Sequence, residues 1–131
     1  MFIDTSGWLC FLDNRDERHG RAAELFRSAR RVLTHSLVIA ELVPLCESRR
    51  FSRNTALSFV ESLLSDPSIE IVWVDEELTK RGIELLMSRS DKEWSLCDGV
   101  SFLVMSEHKV TEVLSTDRHF EQAGFVKLLE S

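Results

Sequence analysis

Apolar and polar positions fall into two alternating kinds of block along the chain. Short apolar runs, "MFI" (1–3), "RVLTHS" (31–36), "IEIVWV" (69–74), "TEVLS" (111–115) and "FVKLL" (125–129), read as strands. The third is the strongest, being rich in β-branched and aromatic residues. The longer blocks between them read as helices. Residues 6–13 follow the first strand, with Ser6 as the expected N-cap. In 17–30, Ala22, Leu25, Phe26 and Ala29 keep the three/four spacing of one helical face. Residues 36–48 form a helix capped by Ser36, apolar enough to be buried nearly all round. In 52–65, Leu57, Val60, Leu63 and Leu64 share a face, and "DPS" ends the helix. Residues 75–89 carry acids in the first turn, where the helix dipole favours them. Residues 95–109 are mostly apolar and expected to be buried, and 117–124 make a short helix ended by Gly124.

Strands that alternate with helices predict parallel pairing through right-handed crossovers, with helices on both sheet faces. In such sheets functional sites lie beyond the carboxyl ends of the strands. Two strands end there on acids: "MFI" on Asp4, and "TEVLST" on Asp117. There is no repeat, low-complexity tract or linker, and only two prolines occur, so the 131 residues are expected to form one domain, 1–131.

Each acid also has an ordinary explanation. Asp4 and Asp117 could cap the helices that follow them. Asp98, three residues after Ser95, fits a capping box. Gly99 beside it costs about 1 kcal/mol against alanine in a helix, which suggests that something approaches the backbone there. Glu41 lies among apolar neighbours, where an ionised carboxylate is expensive unless paired or bound to a cation. No lysine or arginine lies within three residues of Glu41 or Asp98. Four carboxylates gathered together would repel, and a divalent cation is the natural compensation. Oxygen donors suit Mg²⁺ or Mn²⁺. Such a site activates water against a phosphodiester.

Composition refines this picture. With 44% apolar residues, the chain can bury a core. The formal net charge of −6 argues against holding nucleic acid by bulk electrostatics, although acids clustered around a metal account for part of it. Cys10, Cys46 and Cys97 stand singly without zinc-site spacing, as buried thiols do in a reducing cytosol. A cytoplasmic location is therefore expected. No apolar run reaches the roughly 20 residues needed to span a bilayer, and "MFID" has no signal-peptide pattern.

The pieces "FIDTSGW", "HSLVIAEL", "DKEWSLCDGVSF" and "STDRHFEQAGF" resemble the PIN-domain nucleases, most closely the small VapC-like toxins. They cover nearly the whole chain in the family's order. The resemblance implies a three-layer α/β/α sandwich around a parallel sheet of about five strands. It maps the family's acids onto Asp4, Glu41, Asp98 and Asp117, with Thr5 following the first and Thr116 preceding the last. Thr5, Ser6 or Thr116 could hydrogen-bond a metal-bound water or a phosphate oxygen, and Asp91 could organise the loop leading to Asp98 or be merely solvated. It implies Mg²⁺ or Mn²⁺, an RNA substrate, a homodimer and an antitoxin partner.

RNA would be guided by "ESRRFSR", where Arg49, Arg50 and Arg53 flank Phe51. No role is expected for His19, His35, His108 or His119. Trp8, Phe11, Phe26 and Phe59 are core residues by default, and interface candidates if exposed. Pro44, close after Glu41, is expected to kink its helix and tilt that glutamate. This keeps open a PIN scaffold that only binds RNA or protein. An aspartyl-nucleophile phosphatase would want a second acid where Ser6 stands. A phosphoacceptor domain would want a lysine where Asp117 stands.

Overall fold

The computed structural model describes residues 1–131. Its five strands are β1 (Phe2–Ile3), β2 (Val32–His35), β3 (Ile69–Val72), β4 (Glu112–Leu114) and β5 (Val126–Lys127). The helices are α1 (Thr5–Leu12), α2 (His19–Ser28), α3 (Ser36–Ser48), α4 (Arg53–Ser65), α5 (Glu76–Ser88), α6 (Leu96–Glu107) and α7 (His119–Gln122). All strands pair in parallel in the order β3-β2-β1-β4-β5. The expected α/β/α sandwich with a five-stranded parallel sheet is what the chain forms.

The first strand therefore lies at the centre of the sheet. Phe2 stands opposite Leu33 of β2 and Val113 of β4, and Phe2 and Ile3 are fully buried. Trp8 is fully buried in the core, and the partly buried Phe11, Phe26 and Phe59 pack against it with ring centroids about 6 Å away.

Two caps differ from the sequence expectation. α1 begins at Thr5 with Asp4 in the N-cap position, so Ser6 is free for another contact. α3 is capped by His35 rather than Ser36. The His35 Nδ1 accepts from the amides of Leu37 and Val38, and Nε2 lies 2.8 Å from Ser101 Oγ. An imidazole that accepts at Nδ1 is neutral, and burial pushes the His35 pKa down to about 4. Ser36 instead accepts from the Val74 amide, tying α3 to the exit of β3.

Gly99 has a packing reason. A Cβ there would sit 3.3 Å from the Gly82 carbonyl of α5, and one on Gly82 would sit 3.0 Å from Val100 of α6. The paired glycines let α5 and α6 pack backbone to backbone, so the approach anticipated at Gly99 is made by a helix. No helix is long and apolar enough to cross a membrane.

Candidate active site

The carboxyl ends of β1 and β4 are stitched together by small side chains. The Asp4 amide donates to the Leu114 carbonyl (3.2 Å). Ser115 Oγ donates to Asp4 Oδ2 (3.3 Å) and lies 3.1 Å from Ser6 Oγ. The Thr116 amide donates to Ser6 Oγ (3.0 Å), and the Asp117 amide to Ser115 Oγ (3.0 Å). Thus Ser6 works as a clasp between the first and fourth strands.

Four acids from four elements converge above this seam on one cavity of about 510 Å³. Asp4 comes from the end of β1, Glu41 from α3, Asp98 from the first turn of α6, and Asp117 from the turn after β4. Thr5, Ser6 and Thr116 also line it, and no lysine or arginine does.

Each acid is held differently. Asp4 is buried and its side chain caps nothing. Burial pushes its pKa up to about 7; the Thr5 amide works against this, and the charges of Asp98 and Asp117 add to it. Glu41 accepts from Thr5 Oγ1 (2.9 Å). Asp98 does make the capping box with Ser95: its Oδ2 accepts from the Ser95 amide (3.0 Å), and its own amide donates to Ser95 Oγ (3.1 Å). The cap and the pocket are therefore joint roles of Asp98. Asp117 Oδ1 accepts from the His119 amide (2.9 Å).

One expectation about Glu41 is corrected. α3 is not buried nearly all round: Ala40, Glu41, Pro44, Leu45, Glu47 and Ser48 are exposed, and Glu41 enters the pocket from that flank. Its charge therefore needs no burial argument. The helix also runs unbroken through Pro44 to Ser48. The carbonyl that Pro44 leaves unpaired belongs to exposed Ala40, where water can serve it.

Other expected residues lie elsewhere. Asp91 is exposed, outside the cavity, and pairs with Arg89 (3.1 and 3.2 Å). It does not support the site, because the loop turns it towards its own neighbour. Arg49 is half-buried, bridging Asp13 (3.4 Å) and Asp16 (3.1 Å). Asp13 is held below the usual carboxylate range mainly by its hydrogen bond from Arg15, and Asp16 well below it mainly by that from Arg18. Arg53 pairs with exposed Glu47 (3.3 Å). Arg50 alone is exposed without a side-chain partner. Arg49→Ala is expected to cost about 2–3 kcal/mol, because it leaves two carboxylates with less compensation. Arg50→Gln should leave the thermal midpoint unchanged and weaken RNA binding at low salt. Thermal melts and a salt titration of binding check both.

Three residues that build the site were missed by sequence reasoning: one lies beneath the cavity and two line it. Ser115 is fully buried under Asp4. Glu93 reaches the cavity from the loop before α6. His119 Nδ1 lies 2.8 Å from Asp98 Oδ2 and 3.5 Å from Asp117 Oδ1. The available signal for His119 was its place two residues after an acid, in the first turn of a helix. Cys97 also lines the cavity, its thiol pushed up by burial and by the Glu41, Asp4 and Asp98 carboxylates.

Four acids at the carboxyl edge of such a sheet accompany a match to the PIN domain over residues 1–126. The chain belongs to the PIN-domain family. Two curated relatives, the 23S rRNA-specific endonuclease VapC20 of Mycobacterium tuberculosis strains CDC 1551 / Oshkosh and ATCC 25618 / H37Rv, are each 30% identical over 129 residues. The matches cover 98% of this chain and 97% of theirs. The crystal structure of M. tuberculosis VapC20, described as a sarcin–ricin loop cleaving toxin, is similar at a TM-score of 0.88 and 28% identity. It covers 99% of this chain and 98% of that one. The resemblance of this PIN domain to VapC-like toxins, read from its motifs, is borne out.

Proposed function

We propose that this PIN domain is a divalent-metal-dependent endoribonuclease of the VapC toxin type, which hydrolyses RNA phosphodiesters in the cytoplasm. The observation that carries the reading is the convergence of Asp4, Glu41, Asp98 and Asp117 on one cavity without a lysine or arginine in its lining. Uncompensated carboxylates are what a hard cation fits, and the oxygen-rich donor set favours Mg²⁺ or Mn²⁺. When bound, the ion supplies positive charge that activates water and stabilises the attacked phosphate.

The chain's own residues do the rest. Asp4, Asp98 and Asp117 would hold the ion, with Asp98 Oδ1 receiving no protein hydrogen bond and so free to face it. Glu41, oriented by Thr5, would accept hydrogen bonds from water in the pocket. Ser6 and Thr116 fix the strand ends that set the spacing of Asp4 and Asp117. Arg50 is the remaining basic candidate for guiding the RNA backbone. The relatives' names make 23S rRNA the first substrate to try. By the same kinship an antitoxin should silence the enzyme, and two copies should pair. The binding-only scaffold loses its main support, since α3 carries Glu41 to the pocket despite Pro44.

The test is cleavage of RNA by purified protein with Mn²⁺ or Mg²⁺, with EDTA, and with Asp98→Asn. EDTA should abolish cleavage. Asp98→Asn should lower it at least about 100-fold, the upper end of what even the outer partners of metal ligands cost. Its far-UV circular dichroism should be unchanged, because the asparagine oxygen can still accept from the Ser95 amide. Normal cleavage by that variant would refute the mechanism.

A further inference from the structure

The side chain of His119 has one polar engagement, and it is with the acids. Nδ1 lies 2.8 Å from Asp98 Oδ2 and 3.5 Å from Asp117 Oδ1, while Nε2 meets no protein group. An ionised carboxylate has no proton to give, so Nδ1 carries the hydrogen and donates. The accepting oxygen of Asp98 is the one already used by the Ser95 amide. Both donors fall on Oδ2, which fixes the carboxylate plane and leaves Oδ1 without a protein donor.

This contact is not what holds α7 in place. Phe120 is fully buried, with its ring 5.2 Å from Phe102 and 6.3 Å from Phe2. Trp94 Nε1 donates to Gln122 Oε1 (3.0 Å). The turn into the helix is made by the His119 backbone amide on Asp117 Oδ1, independent of the ring. The imidazole itself is partly exposed at the cavity wall. A side chain that the helix does not need, and that spends its only bonded nitrogen on Asp98, has its consequence in the pocket.

We propose that His119 is a positioning residue: through Nδ1–H it orients Asp98, and secondarily Asp117, so that their free oxygens face a common cation, without itself ligating that cation. Hydrogen bonds of this kind from outside a metal site tune affinity by about 10- to 100-fold. The inference rests on the metal-dependent reading of the pocket.

The experiment measures Mn²⁺ binding by calorimetry, without RNA, in wild type, His119→Asn, His119→Gln and His119→Ala. The Asn amide nitrogen falls where Nδ1 stands, so H119N keeps the donor. The Gln nitrogen falls near the Nε2 position, and Ala has none. H119N should bind within about 3-fold of wild type, whereas H119Q and H119A should bind at least about 10-fold more weakly. All four proteins should keep the same circular dichroism. Pulsed EPR of the wild-type Mn²⁺ complex should lack the coupling of a directly bound imidazole nitrogen. H119A binding as tightly as wild type would overturn the proposal, as would H119N binding as weakly as H119A. A directly coupled nitrogen would replace positioning by ligation. Wild-type protein that binds no Mn²⁺ would overturn the nuclease reading itself, and the role of His119 with it.

Discussion

Asp4→Asn is expected to make the metal-free protein more stable at pH 8 while abolishing its cleavage of RNA. Burial raises the Asp4 pKa from 3.8 to about 7, so at pH 8 the fold carries an ionised carboxylate that it disfavours. Between those two values the folded chain binds more protons than the unfolded one. The contribution of Asp4 is therefore fully present below about pH 4 and is lost as pH rises through about 7. The loss amounts to about 4 kcal/mol at most. Asparagine keeps the hydrogen bond to Ser115 without the charge, and a gain of about 2–4 kcal/mol is expected.

His35 acts in the opposite sense over nearly the same range. Its pKa is lowered from 6.5 to about 4, so its contribution is full above 6.5 and is lost as pH falls through 4. That is about 3 kcal/mol. The two slopes oppose each other, and wild-type stability should be nearly level between pH 4 and 6.5. Asp4→Asn should expose the His35 slope, with stability rising across that range. Urea denaturation at several pH values with EDTA checks both statements. A variant no more stable than wild type at pH 8 would show that the fold tolerates the Asp4 charge at little cost.

Gly7→Ala should have the largest effect on folding. A Cβ at position 7 would lie 2.0 Å from the Leu114 carbonyl oxygen and 2.8 Å from its carbon. These are backbone atoms of a central strand and cannot swing aside. The same oxygen accepts the Asp4 amide, so pushing α1 off β4 also displaces the end of β1 that carries Asp4. A cost of about 3 kcal/mol or more is expected, at or above the upper end for overpacking. Soluble yield and the urea midpoint measure it. Gly20→Ala is the control: a Cβ there meets nothing within 4 Å, and the helix should gain a few tenths to about 1 kcal/mol.

Element order was legible because short apolar runs and helical faces alternate cleanly, as expected for parallel strands buried on both faces. The acids at strand ends were legible for the same reason, since parallel sheets place their sites there. What failed was local and depended on partners far away in sequence. Ser6 looked like a cap, yet Ser115 and Thr116, brought in by β4, claim its hydroxyl. Ser36 was the conventional cap, but His35, buried and neutral, offers an acceptor nitrogen that propensity does not anticipate. The burial of α3 was overestimated because Leu45, Pro44 and Ala40 are apolar yet face outward. Asp91 and Arg49 were indistinguishable from functional residues until their ion-pair partners were known. His119 carries no expected role from sequence because its partner Asp98 lies on α6, 21 residues earlier, and only the fold brings the two together.

The strand order has a consequence for synthesis. β1 emerges first, yet its place is between β2 and β4, and β4 is made more than a hundred residues later. Until then Phe2 and Ile3 have one open edge, the clasp of Ser6 has nothing to hold, and the pocket lacks Asp117. A chain stopped before β4 cannot assemble the site. The four acids can share one pocket only after the last third of the chain has been made.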